Sequence, residues 1–413
     1  MTSDLPLSSL FTDSAEYEHR KQKPFKPPQI SLSQIHAAVP RHLFNKSTFV
    51  ALQYVFRTIS LAIAFYLITA FLDSPLHRLR LTGGHELLSA VVQCVLWPAY
   101  WLFQSLTFAG FWCISHEAGH GTLSSHDWVN HTIGYTLHTF LLVPYYAWRA
   151  THKMHHNAAN SVEREENYVP RTRSDYSLPP EKQALPLDYQ EIFDDTPLFV
   201  LGRMVLMQLL GWQAYLLQNT LGSPMYPPGT NHFSPSSPLF KNEKKQRIVI
   251  SNIGLAVMSC ILVAYGYHVG LRNFIKFYFI PYLLANHWIV MLTFLHHTDP
   301  TIPHYRVKEW TWLRGALATV DRPLLGPLGR FFLLNVSHDH IAHHLFSNIP
   351  FYNQPKVTEI LRELLGEDYN SDSTNSFRAL YRSFTQCCFI ENEGDIVFYK
   401  NKYGQAQRQL ATQ

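Results

Sequence analysis

The chain has 413 residues, 46% of them hydrophobic and only 15% charged, with 34 lysines and arginines against 30 aspartates and glutamates for a formal charge of +4. A charged share well under the ~25% usual in soluble domains excludes disorder, a coiled coil and a plain water-soluble enzyme, and so small a net charge does not suit nucleic-acid binding. Histidine is the unusual residue: 23 are present, nearly as many as the 25 prolines.

In chain order, residues 1–45 carry several prolines, few apolar runs and no charged-then-apolar leader, and read as a cytosolic lead-in. Residues 58–72 are uncharged, and 47–56 extend them, with Arg57 able to snorkel toward the headgroups. Residues 87–114, 248–264 (continued to 270) and 277–295 are also free of charge, close to or beyond the roughly 20 residues that cross a hydrocarbon core. Two further uncharged stretches, 132–148 and 204–221, are diluted by Gly, His, Gln or Pro and read as helices in the interface or re-entering the bilayer. The loop 73–86 holds Arg78 and Arg80, the turn between the second pair of spans holds Arg272 and Lys276, and residues 115–247 hold eleven Lys or Arg. That bias gives modest support for four spans with the N-terminus, 115–247 and everything after 296 cytosolic. Residues 222–238 are a Pro/Ser/Gly-rich connector, and no repeat at solenoid or propeller period is present. Cys94, Cys113, Cys260, Cys387 and Cys388 form no CxxC, which argues against a disulfide framework and a zinc ribbon; Cys387 and Cys388 read as inert rather than acylated.

Three histidine clusters follow these segments: HEAGH (His116, His120), HKMHH (His152, His155, His156) and HIAHH (His340, His343, His344). On a helix, residues i, i+3 and i+4 share a face, so each cluster aims two or three imidazoles at one point. A single such pair arises by chance or in a core; three in one chain read as a metal site. Four spans leave all three clusters on one side of the membrane, whereas a crossing by just one of the weak stretches would separate the third from another. Imidazole suits Zn, Cu, Fe and Ni, and eight such ligands match two ions rather than one. HEAGH also fits HExxH, the helix of zinc metalloproteases with Glu117 as base, but such a site has no use for six more histidines. A non-catalytic metal-binding membrane receptor is a further alternative. Glu117 reads as a group orienting an imidazole rather than a base. Asp339 and Asn335 read equally as orienting groups or local caps. Arg149 and Lys153 read as interfacial anchors, with an acidic electron donor or a lipid headgroup as the other reading. His126, His131, His138, His287 and His304 lie outside the clusters and read as structural.

In this order and spacing, HEAGH, HKMHH and HIAHH resemble the three histidine boxes of membrane fatty acid desaturases. The flanks THTFLLVPYYAWRATHKMHHNAANSVEREENYVPRT, TFLHHTDPTIPHYRVKEWTWLRGALATVDRPLLG and NVSHDHIAHHLFSNIPFYN resemble the delta-12 oleate desaturase group, over roughly residues 25–400. The resemblance implies a di-iron centre ligated by His116, His120, His152, His155, His156, His340, His343 and His344. It implies a ninth ligand upstream of the third box, at His297 or its neighbour His296. In this group the first box often reads HECGH followed by His or Gln; here Ala118 and Gly121 replace Cys and the last position, which bears on regiospecificity.

These readings combine into an all-α membrane protein of four transmembrane helices, with a cytosolic helical cap carrying the histidine-rich site. The expected divisions are a cytosolic segment 1–45, a desaturase domain 46–386 and a cytosolic tail 387–413. The resemblance implies an O₂-dependent enzyme of the endoplasmic reticulum membrane, both termini cytosolic, converting oleoyl to linoleoyl chains, most naturally on phospholipid. Omega-3 desaturation, acetylenation and hydroxylation use the same scaffold. With no haem domain or dinucleotide fingerprint in the chain, electrons must arrive from separate proteins, for which the resemblance implies cytochrome b5 and its reductase.

Overall fold

The computed structural model describes residues 11–81, 86–240 and 245–411, with the side chains of 74–81 and 86 outside that description. The lead-in forms two short helices, α1 (Ala15–Gln22) and α2 (Leu32–Ala38). The Ser14 hydroxyl accepts from the Tyr17 amide, and Ser31 and Gln34 cap α2 reciprocally. The long apolar helices α3 (Thr48–Leu81) and α4 (Glu86–His120) follow and pack together. The expected loop 73–86 is therefore mostly helix; residues 82–85 and the Arg78 and Arg80 side chains lie outside the described residues.

Past α4 the backbone turns at Gly121, whose φ of +75° favours glycine. The stretch 132–148 is not one helix but two, α5 (Asp127–Phe140) and α6 (Tyr145–Ala158). Leu142, at φ +55°, and Pro144 break it, so neither piece reaches spanning length. Helix α7 (Pro186–Phe193) leads to α8 (Pro197–Gln218). The Thr196 hydroxyl caps α8, Pro197 opens it and Asn219 closes it in the left-handed region.

Helix α9 (Lys245–Val269) turns at Gly270 into α10 (Leu271–Phe274), a π-turn (Ile275–Phe279) and α11 (Ile280–His297). Short helices complete the chain: α12 (Trp312–Leu317), α13 (Gly326–Phe332), α14 (His340–Leu345), α15 (Gln354–Leu365) and α16 (Ser376–Gln386). Strands β1 (His304–Tyr305) and β2 (Ile396–Val397) pair antiparallel and tie the tail to the body.

The main core lies around α4 and α11, with Trp112, Ile114, Met291 and Leu292 buried. Among the described residues, five helical segments are long and apolar enough to cross a membrane: Thr48–Asp73, Leu87–His120, Pro197–Gln218, Lys245–Val269 and Leu271–His297. Their exposed leucines, isoleucines and phenylalanines suit a lipid solvent. Pro197–Gln218 is one more such segment than the four expected.

The lead-in is built into the fold. Ile35, Val39 and Leu43 pack on Ile341, Leu345 and Phe346, so residues before the first long helix buttress α14. A buried charge cluster ties four segments together. Arg322 bonds Asp299 at 2.6 Å, pairs with Asp372 and donates through Nε to the Leu295 carbonyl at 2.8 Å. Arg20 and Arg382 pair with the same two aspartates.

Candidate metal centre

Each histidine cluster sits at or near a helix terminus. His116 and His120 occupy the last turn of α4, His152, His155 and His156 the second half of α6, and His340, His343 and His344 lie on α14. His297 is the last residue of α11. The fold brings all nine imidazoles into one region, which divides in two. In one group His116, His120, His152, His156 and His343 place ring nitrogens within 4.8 Å of one another; in the other, His155, His297 and His344 do so. His340 joins the second group through its Nε2, 3.1 Å from that of His297.

The spacing suits a cation. Nε2 atoms approach at 3.0 Å between His120 and His152, 3.1 Å between His152 and His156, and 3.2 Å between His156 and His343. The His155 and His297 Nε2 atoms are 3.2 Å apart. Nitrogens held about 2.1 Å from a metal and at right angles lie roughly 3.0 Å apart. His344 is buried, yet neither of its ring nitrogens has a hydrogen-bond partner among the described residues, an arrangement that is costly unless something else fills the position. Burial, followed by the neighbouring imidazoles, pushes His152, His156, His340 and His344 well below the ordinary histidine value and His343 down to about 3. These rings are neutral near pH 7, the form that binds a metal.

Two carboxylates fix the rings from behind. Glu117 accepts from His116 Nδ1 at 3.1 Å, lies 3.7 Å from His343 Nδ1, and accepts from the Thr122 hydroxyl at 2.7 Å. Glu165 accepts from His155 Nδ1 at 2.8 Å, and its other oxygen accepts the Asn160 amide at 3.0 Å. A carboxylate on Nδ1–H turns the Nε2 lone pair toward the centre. Glu165 was not legible in the sequence: it lies in a run of charges, Glu163 to Glu166, with no spacing that singles it out. His296 joins neither group: it donates through Nδ1 to the Val320 carbonyl at 2.5 Å while stacking on His340 at 4.1 Å.

The other singled-out residues have local partners. Asp339 pairs with Arg330 at 2.9 Å, and Asn335 donates to the Phe351 carbonyl at 3.2 Å, so they serve as local contacts rather than orienting an imidazole. Arg149 donates to the Gly119 carbonyl at 2.7 Å, closing the end of α4, while Lys153 is exposed. His126, His131, His138, His287 and His304 join neither group.

A narrow cavity of about 90 Å³ reaches the centre. Trp112, Trp148, Tyr168, Trp212 and Phe294 wall it, and His116, His152, His155, His296, His297 and His340 line its inner end.

A helical protein with long apolar helices and a buried polyhistidine centre beside an apolar slot belongs to the class of membrane metalloenzymes. The fatty acid desaturase family model matches residues 95–375. The chain is 36% identical over 384 residues to a delta(12) fatty acid desaturase of Mortierella isabellina, covering 92% of both chains. It is 34% identical to a delta(12)-fatty-acid desaturase of Arabidopsis thaliana, covering 96% of this chain and 98% of that one. It is also 34% identical to an oleate hydroxylase of Claviceps purpurea, covering 92% and 82%. The chain belongs to the fatty acid desaturase family: it is a membrane oxidoreductase acting on fatty acyl lipids. The peptidase reading of HEAGH falls with this membership, and Glu117, committed to His116 and Thr122, is not poised as a free base.

Proposed function

We propose that the chain introduces the delta-12 cis double bond, converting an oleoyl to a linoleoyl chain, with two irons and O₂. The observation that carries this reading is an apolar, aromatic-walled slot ending on the polyhistidine centre of a chain similar to delta-12 enzymes. His116, His120, His152, His156 and His343 would hold one iron; His155, His297, His340 and His344 would hold the other. Bound iron supplies the O₂ activation needed to break unactivated C–H bonds, which lies beyond side-chain acids and bases. Overall, one –CH₂–CH₂– unit becomes –CH=CH– while O₂, two electrons and two protons become two waters. The slot holds the chain so that one pair of methylenes faces the histidines, and its aromatic wall excludes water. Glu117 and Glu165 keep His116 and His155 turned inward. Electrons come from separate carriers, which we assign to cytochrome b5 and its reductase, with exposed Lys153 open to an acidic partner.

The reading places the enzyme in the endoplasmic reticulum membrane with four spans, both termini and a helical cap in the cytosol. The convergence of the histidines supports four spans rather than five. His116 and His120 end α4 and His297 ends α11, so both helices finish on one side. The short turn at Gly270 then requires α9 to begin on that side too. An even number of crossings must separate His120 from Lys245. α5 and α6 are too short to cross, so α8 alone cannot, and it lies along the interface. Residues 46–386 form the catalytic unit, with the described residues 11–45 and 387–411 packed on it.

Expression in a yeast lacking polyunsaturated lipids, followed by fatty-acid analysis, tests the reading. Linoleoyl chains are expected. A hydroxylated product would favour the activity named for the Claviceps relative, and no linoleoyl product together with conversion of supplied linoleate to a triene would favour omega-3 desaturation.

A further inference from the structure

The two halves of the centre are buttressed differently. Glu165, behind His155, is held by backbone: one oxygen accepts the Glu166 and Asn167 amides at 2.8 and 3.1 Å, and the other accepts the Asn160 amide at 3.0 Å. Glu117, in the five-histidine half, serves rings on two separate elements. Its Oε1 accepts from His116 on α4 at 3.1 Å and lies 3.7 Å from Nδ1 of His343 on α14. Its Oε2 takes the Thr122 hydroxyl at 2.7 Å, and the Phe351 backbone also faces the carboxylate. Among the described residues, Thr122 is the one side chain besides the imidazoles that bonds Glu117.

The turn after α4 puts that hydroxyl in place. The Gly121 amide donates to the Ala118 carbonyl at 3.0 Å, and the Thr122 amide donates to the Glu117 carbonyl at 3.1 Å. This pair of bonds is the helix ending that needs a left-handed residue, supplied by Gly121 at φ +75°. The chain folds back over the last turn of α4, so Thr122 is fully buried against the glutamate five residues before it.

We propose that Thr122 is a positioning residue for the metal centre: through Glu117 it holds His116 and His343 toward the five-histidine ion, while the four-histidine ion depends on Glu165 instead. This rests on the di-iron reading and adds that the two ions are held by different devices. A glutamate side chain has three rotatable bonds, and a donor on its far oxygen fixes which way the near oxygen faces. Without the Thr122 hydroxyl, Oε2 is left buried without that donor, and Oε1 is free to leave one of the two rings. Imidazoles released from such a partner bind metal more weakly, commonly about tenfold or more. Glu165 keeps its three amides, so the loss falls on one ion.

The test uses purified full-length enzyme loaded with iron, reduced, and mixed with excess ferrous-iron chelator, with release followed by the colour of the chelate. In Thr122→Val about one iron per chain is expected to leave about tenfold faster than in wild type, and the other at the wild-type rate. On oleoyl lipid, kcat should fall by a similar factor with KM within about twofold, because Thr122 does not line the slot. Thr122→Ser, which keeps the hydroxyl, should restore both. Thr107→Val is the control: Thr107 is also buried on α4, but its hydroxyl donates to the Phe103 carbonyl, and iron release should match wild type. If Thr122→Val fails to accumulate, Thr122→Ala carries the same readout. Unchanged release, faster release of both irons together, or no recovery in Thr122→Ser would overturn the assignment. Wild-type enzyme that holds zinc in place of iron, or no metal, would instead overturn the di-iron reading.

Discussion

His344 has no hydrogen-bond partner among the described residues at either ring nitrogen although it is buried, and it stacks on His156 with centroids 4.2 Å apart. His138 and His232 are equally unpartnered, but of the three only His344 lies among the ring nitrogens of a histidine group, so an ion it helps to hold accounts for it. His344→Ala should therefore abolish desaturation and lower bound iron from about two per chain while the protein still accumulates; metal analysis and fatty-acid analysis at matched protein level check this. His126 is the suitable control, being exposed at the start of α5 with no side-chain cap bond. His138, although outside both groups, is buried against Trp148 at 4.8 Å, so truncating it would disturb a wall of the slot. The neighbouring pair His296 and His297 gives a second test. His297→Ala should be inactive and iron-depleted. His296→Ala should keep part of its activity, losing about 1–3 kcal/mol of stability from the orphaned Val320 carbonyl and the lost packing on His340. An inactive His296→Ala beside an active His297→Ala would transfer that ligand by one position.

Among elements, the last turn of α11 depends on residues far away in sequence. Arg322 holds the Leu295 carbonyl and meets Asp299 and Asp372. Arg322→Ala leaves two buried carboxylates short of a partner and should cost about 3–5 kcal/mol, read as a fall in Tm. Because His297 lies in the same turn, bound iron should fall with it. The cluster also has a pH signature. Burial alone would raise the Asp372 carboxyl, but Arg322 and Arg382 outweigh it and hold the group below its ordinary value. A carboxylate depressed in the folded state contributes stability above its unfolded value near 4 and loses it as the pH falls further. Acid should therefore lower Tm below about pH 4, less steeply in Arg322→Ala. Gly121 belongs to the same scale: at φ +75° it ends α4 immediately after His120, so this position serves the turn rather than carrying a side chain toward the histidines.

For the whole molecule, the proposed topology rests on the convergence of nine histidines, which calls for an even number of crossings between His120 and Lys245. Tags at the N-terminus, within 160–195 and at the C-terminus should all be cytosolic. A glycosylation tag inserted at the Gly270 turn should be modified in the lumen. A lumenal C-terminus would separate the third histidine cluster from the second and refute a shared centre.

The sequence by itself determined the candidate ligands and the solvent of the helices. The boxes are legible because i, i+3 and i+4 spacing is local, and the long apolar runs because a span is contiguous. The family followed from the flanks of the boxes. Tertiary structure decided what depends on residues distant in the chain. It divided the nine histidines into groups of five and four and left His296 outside both. It brought Glu165 onto His155 and set Ile35 and Val39 beneath α14. It also bears on α8, which by length and composition alone could cross the membrane. Hydropathy measures what a helix can dissolve in, whereas the side on which the chain emerges is fixed by what its two ends must meet.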